Sequence, residues 1–369
     1  MTRFVGLIKG TWRKRLRPVL IVGIALFIIV EVIALAPSTL EEGRKSSGMI
    51  DPESLVADSA QSLVPGIPKD AIPEYVVEKF DYVSARGTEK QWKLTADTAH
   101  LYKSGSEKLI HTQNVRAHIY DPDGKITIVT GKEAKYLSNR RDLEVFGNVR
   151  TVFPDGFELK SEYLRYRPNE KTIDIPKKYR TEGIGKESED GTVLSFLSNG
   201  FVYEMKQNKI LLPQNVTLTF EKKKLTSNSE TKTVIESDRS EIQRIDQVAH
   251  FTMEPTRPAT MRFVKISQPQ TTAKGRKASL RYGSYSEVVE YLTINEDVSV
   301  REKRPKGSDR RGTGGLAVFD SKSNTITFTQ FPQVYEDQDT VTGDKIVVHR
   351  DTDVIEVDQS NAYSEGNKE

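Results

Sequence analysis

From Tyr75 onward, apolar and polar residues alternate with a period of two, in short runs rich in β-branched and aromatic side chains. YVVEKFDYV, QWKLTA, VRAHIY, KITIVTG, LEVFGNV, FELKS and ILLPQNVTLTF are such runs. Turn-forming clusters separate them: DPDG at 121–124, SNRRD at 138–142, PDG at 154–156 and RPNEK at 167–171. No stretch of ordinary length after residue 75 carries the helical period. The pattern predicts an all-β fold of antiparallel hairpins.

The runs also repeat. One unit reads roughly A-x-Y, a polar turn, L-x-V-x-G-N-V-x-V, a second turn, then G-x-x-L; residues 131–156 are its clearest copy. Further copies lie at 97–124, 198–221, 277–302 and 315–337. Their valine anchors Val115, Val149, Val216, Val298 and Val334 are separated by 34, 67, 82 and 36 residues. A lone pair of strands cannot bury its apolar face, so neighbouring units must stack as a sandwich, jelly roll or solenoid. The polar run 222–238 reads as a boundary between two β units, 75–221 and 239–365. Residues 266–278 and 301–315 read as surface loops. The second, with six basic residues, is either simply solvated or a contact for an anionic partner.

The expected inward set is Trp92, Leu94, Ala96, Ile126, Ile128, Leu143, Val145, Val149, Phe157 and Leu159. It mixes large and small residues without one dense centre. Two outcomes follow: a closed, packed core, or an open sandwich with a groove whose apolar walls hold acyl chains. End strands with free N–H and C=O groups would accept a strand of another protein.

The amino terminus changes the picture. Val19–Ala36 is 18 apolar-rich residues, roughly 27 Å as a helix at about 1.5 Å per residue. Residues 1–18 carry Arg3, Lys9, Arg13, Lys14, Arg15 and Arg17 and no acid, which marks the cytoplasmic side. The length favours a retained transmembrane anchor over a cleaved signal peptide, although ALAP resembles a cleavage site. Glu31, near the outer end, either snorkels or contacts another membrane helix. Residues 37–74 read as a linker with one short helix at 51–64. With +6 in the first 18 residues, the net charge of +3 leaves about −3 for the rest. That gives no electrostatic case for nucleic-acid binding.

Candidate chemistry is sparse. The chain has no cysteine, which excludes disulfides and thiolate metal sites. It has no phosphate-binding G-x-x-x-x-G-K-[ST] and no G-x-S-x-G, and GTGG at 312–315 leads into a strand-like LAVF rather than a helix. The five histidines show no i,i+4 pairing; His111 and His118 would share a metal only through tertiary placement. No cofactor and no enzymatic activity are expected, although a carboxylate pair of glycosidase type stays open. The expected alternative to a lipid carrier is a tethered structural or adhesive β-repeat protein.

The residues also resemble a known family. Tyr75-x-x-x-x-Phe80, Trp92-Lys-Leu-Thr-Ala96-Asp-Thr-Ala99, Gly147-Asn-Val149 and Gly156-Phe-x-Leu159-x-Ser161-x-x-Leu164 occur in that order behind the apolar helix. Over about residues 1–175 this resembles LptC, the bitopic inner-membrane component of lipopolysaccharide export. Gly315-Leu-Ala-Val-Phe319, Thr325-Ile-Thr-Phe328 with Phe331-Pro-Gln-Val334, Gly343-Asp-Lys-Ile346 and Val354-Ile-Glu-Val357 are similar to the periplasmic bridge protein LptA. The resemblance implies a β-jelly-roll with acyl chains between its sheets. It further implies docking beside an inner-membrane ABC transporter, lipopolysaccharide as cargo, and edge-strand pairing with an LptA-like bridge or an outer-membrane acceptor. LptC proteins are usually about half this length, so the chain looks like an LptC with extra jelly-roll length or with an LptA-like half attached.

Overall fold

The computed structural model describes residues 64–364, apart from residues 66 and 360 and the segments 68–71, 105–106, 189–190, 223–230, 284–288 and 305–307. The expected anchor at 19–36 with Glu31, the basic segment before it and residues 51–63 lie outside the described residues. Among the described residues no helix is long and apolar enough to cross a membrane.

The described chain is a succession of antiparallel strands, interrupted by one 3-10 turn at Ala259–Met261. Eight long strands come first: β1 (Tyr75–Arg86), β2 (Glu89–Ser104), β3 (Glu107–Tyr120), β4 (Ile126–Leu137), β5 (Leu143–Val152), β6 (Glu158–Arg167), β7 (Thr172–Ile184) and β8 (Thr192–Glu204). Each pairs with the next. Shorter strands follow: β9 (Lys209–Leu212), β10 (Val216–Lys222), β11 (Thr231–Ser237), β12 (Arg239–Gln243), β13 (Val248–Thr252), β14 (Val264–Ser267), β15 (Thr271–Gly275) and β16 (Lys277–Tyr282). Long strands β17 (Val289–Glu302) and β18 (Arg310–Asp320) lead to β19 (Thr325–Thr329), β20 (Gln333–Glu336), β21 (Asp339–Thr342), β22 (Lys345–His349), β23 (Ile355–Asp358) and β24 (Asn361–Ser364).

The long strands do not run straight. The register slips between Thr130 and Glu133, Phe146 and Val149, Lys160 and Arg165, Ile175 and Arg180, and Asn295 and Val298. Each slip is a bulge at which the strand bends and passes into a second layer. β8 makes the division plain. Its first half pairs with β10, and its last residues pair with β9. The first layer continues through β10, β11, β14, β15, the end of β17, the start of β18, β20, β21 and β24. The second continues through β9, β12, β13, β16, the start of β17, the end of β18, β19, β22 and β23. The result is one sheet folded over on itself, of the jelly-roll type, with corners on one side and hairpin turns on the other.

The repeated valine anchors are the corners. Asn114, Asn148, Asn215 and Asp297 have φ of 51°, 47°, 51° and 54°, a left-handed conformation that Asn and Asp tolerate better than other side-chain-bearing residues. The next residue in each case, Val115, Val149, Val216 or Val298, is buried. The Asn or Asp turns the backbone, and the valine plugs the inside of the bend. At the fifth anchor, Val334, the turn is made by Gln330 and Phe331, both at φ 62°.

A continuous apolar cluster runs between the layers from Trp92 to Val348. The polar run 222–238 contains β11, which pairs with β10 and β14, so hydrogen bonding passes through this segment. On the outside of the second layer, Val64 and Ile67 from the end of the linker pack on Phe146, Tyr163 and Tyr179. Lys135 donates to the Pro65 carbonyl at 3.0 Å there.

Candidate functional site: the space between the layers

Seven of the ten expected inward residues are buried between the layers: Trp92, Leu94, Ala96, Leu143, Val145, Val149 and Leu159. All but Ala96 are at most 2% exposed, and they interlock. The Trp92 ring from the first layer meets Tyr136 from the second at 5.0 Å, edge to face, and Tyr82 at 5.4 Å. Gly131 has no side chain because a Cβ there would lie 2.5 Å from a Val145 methyl. Around these residues the described side chains pack closely against one another.

Ile126 and Ile128 are not in this set. Ile126 is 43% exposed. Ile128 is half-buried and lies opposite His118 and Val152 on the outer surface of the first layer. The inward residues of that strand are Thr127 and Val129. In KITIVTG both alternating sets are apolar or small, so alternation alone does not choose the face. Registration of Val129 beside Ala117 and Thr151 chooses it.

Phe157, the remaining expected residue, stands where the interior opens. A cavity of about 190 Å³ lies between the layers in the middle of the molecule. Phe157, Leu194, Phe196, Leu218 and Phe220 line it from the first layer, and Ile210, Ile242, Ala249 and Leu280 from the second. Beyond Phe220 a second cavity of about 260 Å³ continues under Val289, Leu292 and Phe319. On the other side a third, of about 360 Å³ and more polar, shares Phe153, Asp155, Tyr203 and Arg244 with the first. The first and second spaces share the Phe220 side chain, and the first and third share the four just named.

Aromatic rings border the space on both walls, Phe157 and Phe196 on the first layer and Phe201 and Tyr203 on the second. Phe157 and Phe196 stack at 5.8 Å with planes 17° apart, and Phe196 stacks on Phe201 at 6.1 Å. Gly183 allows this. A Cβ there would sit 2.3 Å from the Phe196 ring and 2.6 Å from that of Phe157. The Tyr203 hydroxyl donates to Asn208 at 3.1 Å, and burial, above all other influences, raises its pKa.

The lining carries no cluster of nucleophile and base. Among the described residues no group of three His, Asp or Glu side chains is placed to hold a metal. His111 pairs with Glu133 at 2.8 Å. What the space can do is take aliphatic chains out of water, at about 0.8 kcal/mol per methylene. Leu194, Phe196, Leu218, Phe220 and Leu280 were not among the residues expected from sequence. Their only signal was the same alternation carried by the packed residues.

Two family descriptions match the chain. "Lipopolysaccharide-assembly, LptC-related" matches residues 55–221. "LptA/(LptD N-terminal domain) LPS transport protein" matches residues 198–354. No curated protein sequence matches significantly. Among solved structures, the chain is similar to LptH, the LptA-homologous periplasmic component of the lipopolysaccharide transport device from Pseudomonas aeruginosa. The identity is 14%, the match covers 36% of this chain and 95% of that one, and the TM-score is 0.32.

Proposed function

We propose, since this chain belongs to the LptC family and carries an LptA-like part toward its carboxyl end, that it binds lipopolysaccharide and moves it from the inner membrane toward the outer membrane. Residues 19–36 anchor it in the inner membrane. An ABC transporter there supplies the cargo, and Glu31 contacts a neighbouring membrane helix. Acyl chains lie between the layers with the sugars outside. The described β1 and β23–β24 ends offer strand edges for pairing with a bridge protein or an outer-membrane acceptor. Residues 75–221 form the LptC-like jelly roll and 239–365 the LptA-like one. The chain carries cargo without turning it over.

One observation supports this reading above the rest: the central space is apolar on both walls and continues past Phe220 into a second cavity. A chain can shift between equivalent apolar walls at little net cost, which is what transport along a row of strands requires. The packed amino-terminal interior around Trp92 and Leu143 favours a second role for that part, a tethered scaffold that presents the open part at a set distance from the membrane. The test is to purify the full chain in detergent, extract it, and identify bound lipid by mass spectrometry. Lipid A in near-stoichiometric amount is expected. A lipid-free chain would leave only the scaffold.

A further inference from the structure

The layers meet at the corners and part at the hairpin turns, so the turns form a mouth along one side. Among the described residues several ion pairs cross that mouth, with Arg310 of the first layer reaching Asp353 of the second at 3.7 Å close to the carboxyl end. Near one end Lys171, in the second layer's turns, reaches Glu89 of the first layer at 2.8 Å. Near the other, Arg350 of the second layer reaches Glu302 of the first at 2.9 Å, with a further bond to Thr271 at 2.9 Å. Between them Arg244, in the turn after β12, pairs with Asp155, in the turn between β5 and β6.

The central pair differs from its neighbours. Each flanking pair has one largely buried member, Lys171 at 9% against Glu89 at 58% and Glu302 at 12% against Arg350 at 22%, whereas neither member of the central pair is buried, Arg244 at 31% and Asp155 at 41%. An exposed pair is weakly held and readily exchanges partners. Its two halves are not equally free. Asp155 is fixed by its own turn, where its second carboxylate oxygen accepts from the Phe157 N–H at 3.1 Å. The Arg244 side chain is held by Asp155 and by the Tyr203 hydroxyl, not by its own turn. The pair also stands on the partition between the polar and apolar cavities, beside Phe153 and Tyr203. Lys125 and Lys206 lie on the polar side together with Asp121 and Asp123.

We infer that Asp155 and Arg244 form a latch across the mouth, opened when Arg244 exchanges the carboxylate for a phosphate on the head of an entering amphiphile. The inference rests on the lipid-carrier reading above. Guanidinium binds phosphate as it binds carboxylate, often through two parallel bonds. Head-group capture at the rim and admission of the acyl chains to the apolar cavity then become one event.

The chain has no cysteine, so Asp155→Cys with Arg244→Cys creates the sole thiol pair, which a short bismaleimide can bridge. A photo-crosslinking residue at Leu194, in the cavity wall, reports entry into the full-length chain. An adduct before bridging and its loss afterwards are expected. Equal adducts in both states would overturn the latch and leave the carrier reading standing. No adduct in the otherwise unaltered chain would remove the carrier reading, and the latch with it. The anion is tested separately. The unaltered chain should prefer phosphorylated over dephosphorylated lipid A about tenfold, and Arg244→Gln should abolish that preference while both lipids still bind. An unchanged preference in Arg244→Gln would overturn the phosphate exchange. Excess inorganic phosphate should not compete. Competition would make the rim a site for free anions and overturn the link to the amphiphile's head.

Discussion

The interior around Trp92 and the interior around Phe196 are built from the same parts, yet one is closely packed and the other open. Both lie on the inner face of the first layer, on a row of registered residues running from Leu94 through Ala117, Val129, Thr151 and Leu159 to Gly183, Phe196 and Leu218. Over the first part of that row, Trp92 reaches across and packs on Tyr136 of the opposite layer. Over the second, Gly183 lets Phe157 and Phe196 fold back along their own wall. The lesson is that strand pattern decides which residues face inward. Whether two inward rows fill the gap between them depends on where the largest side chains point.

That contrast predicts opposite tolerances. The largest effect is expected for Val145→Asp. Its carboxylate would have no charged partner in a fully buried position, so the folded state should lose about 3 kcal/mol or more in denaturant unfolding. A stable Val145→Asp variant that had lost only lipid would mean the amino-terminal interior is open after all. Trp92→Ala should cost about 3–5 kcal/mol by the same measurement. The same truncation in both regions sharpens the comparison. Leu143→Ala should cost about 3 kcal/mol, and Leu194→Ala, half-buried beside existing empty space, roughly 1 kcal/mol. Equal losses would erase the distinction. At the corners, Asn148→Ala should cost about 1–2 kcal/mol through its left-handed backbone. Asn148→Gly should stay within about 0.5 kcal/mol, as should Ile126→Ser on the outer surface.

Much of the fold is legible in the sequence. Period-two alternation marks the strands, DPDG and PDG mark hairpin turns, and the returning G-N-V phrase marks the places where each strand must bend. The reason is local: a left-handed Asn followed by a buried Val is written in adjacent residues. The faces of Ile126 and Ile128 are less legible, because Thr127 and Val129 make an equally acceptable inward pair and only the neighbouring strands decide between them. The open space is the least legible. Phe196 and Leu143 belong to the same alternation, and what separates them is the opposing layer: Tyr136 packs edge-on against Trp92, whereas the small and aliphatic Ala249 and Leu280 stand opposite the wall that carries Phe196. Contacts between residues so distant in the chain leave no local trace.

The most direct test of the account places a photo-crosslinking residue at Leu194 in one chain and at Leu143 in another, in living cells. A lipopolysaccharide adduct from Leu194 and none from Leu143 is the predicted result. An adduct from Leu143 with none from Leu194 would contradict it, placing the cargo among the closely packed side chains.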